Sequence, residues 1–123
     1  MSELLVIASL HIATGQEEAV LTAVPKLIAA ARTEPGNIAF AGYRSLDNPS
    51  QCLLVERYAS RAAFNDHLAA PHYQEIALGY IVPRLEGRTI EQFDVIPSGA
   101  ECRGVALLRK SFAHRPFQDG KGG

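Results

Sequence analysis

Glu56, Tyr58 and His67 are the side chains of this sequence whose types suit them to move a proton together. An imidazole titrates near neutral pH, so His67 can take an acidic proton from a phenol or an activated carbon, the more so if a carboxylate orients its ring. Leu54, Glu56 and Tyr58 alternate along Gln51–Tyr58, a run rich in Leu and Val. A strand there puts all three on one face. His67 follows Phe64 by one turn and precedes Leu68, so a helix carries it on its apolar stripe. Each residue also has a plainer reading. His67 can be a core histidine bonded to a polar neighbour. Glu56 can pair with Arg57, Arg61 or His67, and Tyr58 can be packing alone. His72 follows Pro71 in a first helical turn, where a structural contact is the default.

Other chemistries are not expected. His67 and His72 are five residues apart, about 140° around a continuous helix, so no shared metal is expected. Cys52 and Cys102 lie at no metal spacing, and Cys52 has no basic neighbour in sequence to activate it. Two such cysteines fit a reducing cytosol. No Gly-x-Gly-x-x-Gly, P-loop or Gly-x-Ser-x-Gly occurs, which removes nucleotide-binding and serine-hydrolase signatures. Twelve basic and 13 acidic residues give a net charge of −1, not the basic excess of a nucleic-acid binder. No apolar run approaches the ~20 residues of a membrane span. Met1-Ser2-Glu3 lacks a basic segment, and the apolar stretch after it is cut by Ser9 and His11, so no signal peptide is expected. At 123 residues the chain is one domain's worth. The expectation is a cytoplasmic protein with no nucleic-acid or membrane partner.

The elements that must position these groups follow from periodicity. Leu4 to Ile12 reads as a strand, and Gln16 to Thr33 as a helix with Val20, Val24, Leu27, Ile28 and Ala31 on one face. Pro25 predicts a bend in that helix, not a break. Glu34-Pro35-Gly36 ends it, with Gly36 suited to a left-handed turn. Asn37–Leu46 is a strand with Ile38 and Phe40 on one face, and Asp47-Asn48-Pro49-Ser50 turns it into the Gln51–Tyr58 strand. Ser60 suits the N-cap of a second helix. Pro71 interrupts it and begins a restarted helix carrying Tyr73, Ile76, Ala77 and Tyr80. Gly87 reads as a break, and Thr89–Ile96 as the last strand.

The order is βαββαβ, an α+β ferredoxin-like plan with helices on one face of a four-stranded antiparallel sheet. The other face carries Leu5, Ile7, Leu53 and Val55. A second copy of the sheet is the simplest cover, giving a homodimer. Residues 97–123 are a compositionally separate extension from the 1–96 domain, with five basic against two acidic residues. Val105 to Leu108 are apolar enough to add a strand on the partner subunit. The alternative is a lid on its own subunit, with Phe112 or Phe117 as a plug.

Four segments resemble the antibiotic biosynthesis monooxygenase family of dimeric α+β barrel proteins. They are Glu34-Pro35-Gly36-Asn37, Val55-Glu56-Arg57-Tyr58, Ser60-Arg61-Ala62-Ala63-Phe64 and His67-Leu68-Ala69-Ala70-Pro71-His72-Tyr73. The resemblance covers roughly residues 4–96. It implies a pocket between sheet and helices, so that Glu56, Tyr58 and His67 converge as catalytic residues and Ala8, Leu54, Phe64 and His72 line the substrate pocket. It also implies a cofactor-independent monooxygenase that uses O₂ on a small phenol-, quinol- or anthrone-like aromatic. The family's haem-degrading branch carries different residues at Ala8, His67 and Ala77, which argues against haem. Tyr58 stands where the common oxygenase pattern has Trp. An isomerase branch shares the Glu-x-Gly-Asn, Glu-x-Tyr and His…Pro-His-Tyr spacings. An isomerase of a small carbonyl compound, such as a quorum-signal derivative, and a non-catalytic small-ligand binder are therefore the alternatives.

Overall fold

The computed structural model describes residues 2–97 and 106–110. Its elements run β1 (Glu3–Ile12), α1 (Glu17–Ala31), β2 (Asn37–Arg44), β3 (Gln51–Tyr58) and α2 (Arg61–Ala69). A π-helix (Tyr73–Ile81), a 3₁₀ turn (Val82–Arg84), β4 (Leu85–Pro97) and β5 (Ala106–Lys110) follow. The first four strands and the helices form the ferredoxin-like βαββαβ plan. The antiparallel sheet has the order β2-β3-β1-β4-β5 and stays open.

Alternation decides what faces the helices. Leu4, Val6, Ala8, Leu10 and Ile12 of β1 and Cys52, Leu54, Glu56 and Tyr58 of β3 are buried. The intervening Leu5, Ile7, Leu53 and Val55 lie on the open face and are half-buried. Phe93 and Val95 join them, Phe93 paired with Leu5 and Val95 with Glu3. From the helix side, Val20, Ala23, Val24, Leu27 and Ala31 of α1 close the core. Pro25 sits on the exposed side of α1, where the carbonyl it leaves unbonded can turn to water, and the helix continues through it. Arg32 Nε and Nη2 donate to the Phe40 carbonyl at 3.0 and 2.7 Å, tying the end of α1 to β2. Ser60 caps α2 through its Oγ, which accepts from the Ala63 amide at 3.1 Å.

Five local expectations are corrected. Gly36 does not have a positive φ; among the described glycines only Gly15 does, at 86° in the turn before α1. Gly36 is needed for closeness: a Cβ there would lie 2.4 Å from the Ala63 Cβ of α2. Ile38 and Phe40 do not share a face, because the β2–β3 register shifts between Asn37 and Ala39, leaving Ile38 exposed and Phe40 buried. Gly87 does not break β4, which starts at Leu85. The irregularity is a bulge at Glu86, opposite His11 and Ile12. The segment after Pro71 runs on as a π-helix, whose buried Tyr73, Ala77 and Ile81 recur every four residues. Finally, a fifth strand adds to the four: β5 pairs with β4 of its own chain, Pro97 opposite Ala106 and Phe93 opposite Lys110. Val105, Phe112 and Phe117 lie outside the described residues.

Gly36→Ala forces the start of β2 away from α2. Overpacking of this kind costs about 1–3 kcal/mol, and urea denaturation is expected to show a loss of that size. In a double-mutant cycle Ala63→Gly is expected to recover part of it, because it removes the methyl group that the new side chain meets.

Candidate active site

Between the sheet and the helices lies a narrow cavity of about 30 Å³. That is room for one or two waters, so a larger ligand enters only if the walls part. Its floor is sheet, with Val6, Ala8, Leu54, Glu56, Arg88 and Ile90, and its roof includes Phe64, His67, Tyr73 and Ala77. Ala8, Leu54, Phe64, Glu56 and His67 therefore share one apolar space. Tyr58 and His72 are not on its wall. Tyr58 lies buried beside it, and its OH donates to Glu56 Oε1 at 2.6 Å.

The carboxylate that holds His67 is Glu34, not Glu56. Glu34 Oε2 lies 2.8 Å from His67 Nδ1 and 2.5 Å from His72 Nε2. An ionised carboxylate can only accept, so His67 carries its proton on Nδ1 and keeps the Nε2 lone pair. The ring is also boxed in by aromatic neighbours, with centroids at 5.8 Å (Phe40), 5.4 Å (Tyr58), 6.3 Å (Phe64) and 5.0 Å (Tyr73). Burial lowers the His67 pKa, and the Glu34 hydrogen bond and charge oppose this only in part. A neutral imidazole with an accepting nitrogen is the form that takes a proton.

The expected separation of His67 and His72 assumed a continuous helix. Pro71 forces Ala70 into extended backbone, with ψ of 144°, and the chain turns so that His72 comes back to the same oxygen as His67. In the sequence Glu34 marks only a helix stop, although it heads the Glu34-Pro35-Gly36-Asn37 segment. Its other oxygen, Oε1, is buried without a hydrogen bond. Arg88 was also missed. It faces inward two residues before Ile90 in β4, and Nη1 lies 3.4 Å from the Tyr73 OH.

Glu56 stands in the opposite condition to an ordinary surface carboxyl. Burial pushes its pKa up to about 8, and the Glu34 charge adds to this, while the Tyr58 hydrogen bond and the Arg88 charge pull it down. Burial likewise raises Tyr58, with Glu56 the next cause, and raises Tyr73. At neutral pH the cavity thus sets a protonated carboxyl across from a neutral imidazole. Cys52 is buried and its thiol is raised by that burial, which leaves it a packing residue.

The sequence model of the antibiotic biosynthesis monooxygenase family matches residues 4–77. The chain belongs to this family. Solved structures agree with the fold. One is a Shewanella oneidensis protein, 27% identical, covering 74% of this chain and 88% of that one with a TM-score of 0.70. Another, from Mycobacterium tuberculosis, is 25% identical, with coverages of 81% and 100% and a TM-score of 0.72. A third, an antibiotic biosynthesis monooxygenase, is 25% identical, with coverages of 76% and 99% and a TM-score of 0.71. No curated protein matches the chain. Among the described residues no helix is long and apolar enough to cross a membrane.

The raised Glu56 pKa sets a pH dependence of stability. The unfolded chain ionises this group near 4.5 and the folded chain near 8, so the folded state binds its proton more tightly. Its contribution is fully present below about pH 4.5 and is lost as pH rises through about 8. The expected loss is up to about 5 kcal/mol. Glu56→Gln keeps an acceptor for the Tyr58 OH and cannot ionise, so urea midpoints of this variant are expected to vary less across that window.

Proposed function

We propose that this family member is a cofactor-independent monooxygenase acting on a small phenol-, quinol- or anthrone-like aromatic, with His67 as the base. One observation carries the reading: an imidazole on the wall of a narrow, largely apolar cavity, held through Nδ1 by Glu34, with Nε2 left to accept a proton. For a CH₂ between two rings, His67 takes one proton and leaves a carbanion. The carbanion passes one electron to O₂, and the radical pair combines as a peroxide. Loss of water, with the second hydrogen and the proton held by His67, leaves a ketone. The overall change is R₂CH₂ + O₂ → R₂CO + H₂O. Apolar walls protect the intermediates from solvent. Of the catalytic group Glu56, Tyr58 and His67, Glu56 and His67 face the substrate and Tyr58 positions Glu56. Glu34 positions the base, and Ala8, Leu54 and Phe64 hold the ring once the walls part. His72 acts through Glu34 and not on the substrate.

Protonated Glu56 favours a second reading, an isomerase of a small carbonyl compound. A carboxylic acid can donate to a carbonyl oxygen while His67 removes the neighbouring carbon-bound proton. Oxygen uptake with an anthrone and quinol panel supports the first reading. Deuterium exchange into a carbonyl ligand without oxygen uptake replaces it with the second. Binding with neither reaction leaves a non-catalytic binder.

In the first reading His67→Gln is expected to cut turnover by ~10²–10⁴-fold with the fold intact. Glu34→Gln is expected to cut it less, since the amide can still accept from Nδ1. If the acid form of Glu56 is required, activity falls as pH rises through about 8, and this alkaline limb disappears in Glu56→Gln. Unchanged activity in His67→Gln overturns the assignment of the base.

The same reading takes the working unit to be a cytoplasmic homodimer. The half-buried stripe Leu5, Ile7, Leu53, Val55, Phe93 and Val95 is its shared surface, which supports a second copy of the sheet as cover. Residues 1–96 form the catalytic domain. The extension, residues 97–123, contributes the edge strand β5 to the sheet of its own chain. Sedimentation is expected to show a dimer for the parent protein and a monomer for Ile7→Glu.

A further inference from the structure

We propose that Glu34, His67 and His72 form a binding site for one divalent transition-metal ion of the zinc class. Among the described residues they are the one group of three that brings ligand atoms together, all within 4.8 Å of one another. Two imidazole nitrogens and a carboxylate are a donor set for Zn²⁺, Co²⁺ or Ni²⁺, whereas Mg²⁺ and Ca²⁺ prefer all-oxygen sites. The site does not rest on the proposed reaction.

The geometry carries it in three ways. Both ring nitrogens aim at one oxygen, at 2.8 and 2.5 Å, so an ion placed among the three replaces contacts that already converge. Metal–ligand bonds of about 2.0–2.1 Å need the widest donor pair to close by only ~1–2 Å. The side chain of His72 is 23% exposed and lies after the Ala70 break, so it can make that swing. The second Glu34 oxygen is buried and lacks a hydrogen bond, and a bidentate carboxylate would satisfy it. The site also has a rigid side and an open side. The aromatic box fixes His67, which is 2% exposed, while Glu34 and His72 lie nearer to solvent and give an ion its way in.

Occupancy has a consequence for the cavity. A neutral imidazole holds one proton. With Nδ1 bound to the metal, that proton sits on Nε2, the nitrogen that would otherwise accept from a substrate. A metal ion on Glu34 and proton acceptance by His67 therefore exclude one another. The ion acts as an inhibitor of base chemistry, not as its cofactor.

Calorimetric titration of chelator-treated full-length protein with ZnCl₂ and CoCl₂ tests this, with MgCl₂ as control. The expected result is one ion per chain for Zn²⁺ and Co²⁺ and none for Mg²⁺. Affinity should drop at least ~10-fold in His72→Ala and in Glu34→Gln and stay unchanged in His11→Ala. Bound Co²⁺ should show a visible absorption band that His72→Ala abolishes. Circular dichroism checks that each variant is folded, and His72→Ala, at a half-exposed position, keeps the test available if Glu34→Gln unfolds. Absence of stoichiometric binding overturns the proposal, as does equal binding by His72→Ala or loss of binding in His11→Ala. If no ion binds and His72→Ala turns over more slowly until imidazole is added, the three residues are a proton path to solvent and the metal site is wrong. Failure of the oxygenase reading leaves the titration result standing.

Discussion

Glu34 offers one oxygen to two imidazole rings, and the layout of the roof depends on that shared acceptor. It joins the loop after α1, the inward face of α2 and the segment following Pro71 at one atom. A hydrogen bond to an ionised group is worth about 1.5–3 kcal/mol net, and its loss would leave a donor of His67 stranded in an apolar space. The bond can form only because α2 lies almost on the backbone at the entrance to β2, where Gly36 meets Ala63. A hydrogen-bonding requirement and a steric one thus act on neighbouring residues of a single four-residue segment.

The two carboxyl groups near the cavity differ because their surroundings differ. Glu34 faces two imidazoles near solvent, while Glu56 faces a phenol and hydrocarbon in full burial. Burial favours the neutral form of Glu56 and of His67 alike. The chain thereby keeps an acid and a base on opposite walls of one cavity, both neutral and not an ion pair. Tyr58 stands between them, bonded to one and packed on the other.

Much of this was legible in the sequence. Period-two alternation in β1 and β3 placed Glu56 and Tyr58 on one face, and the apolar stripe of α2 turned His67 inward. The misses have identifiable causes. Glu34 precedes His67 by 33 residues, and no local pattern couples a helix stop to a side chain that far along. The approach of His72 depends on a single ψ angle at Ala70, which turns the chain where helical spacing predicts divergence. The π-helix escaped because Tyr73, Ala77 and Ile81, four apart, also fit an α-helical stripe. Arg88 was hidden by Gly87, which signals a break in sequence but lies next to a bulge in a continuous strand.

The addition of β5 leaves β1 in the middle of the sheet, with two strands on each side. Its register ties Leu4 both to Tyr58 and to Asp94, so neither of its neighbours is close in the chain. A ribosome therefore delivers Leu4-Leu5-Val6-Ile7 long before either partner strand exists, and the first flank can be sealed only after the β2–β3 hairpin has emerged. Contacts of such long sequence separation slow folding, and an unpaired apolar strand is open to association with other chains in the meantime. Nascent chains that stop short of β4 would carry that strand with one edge still bare, which makes them natural clients for chaperones that hold extended apolar segments.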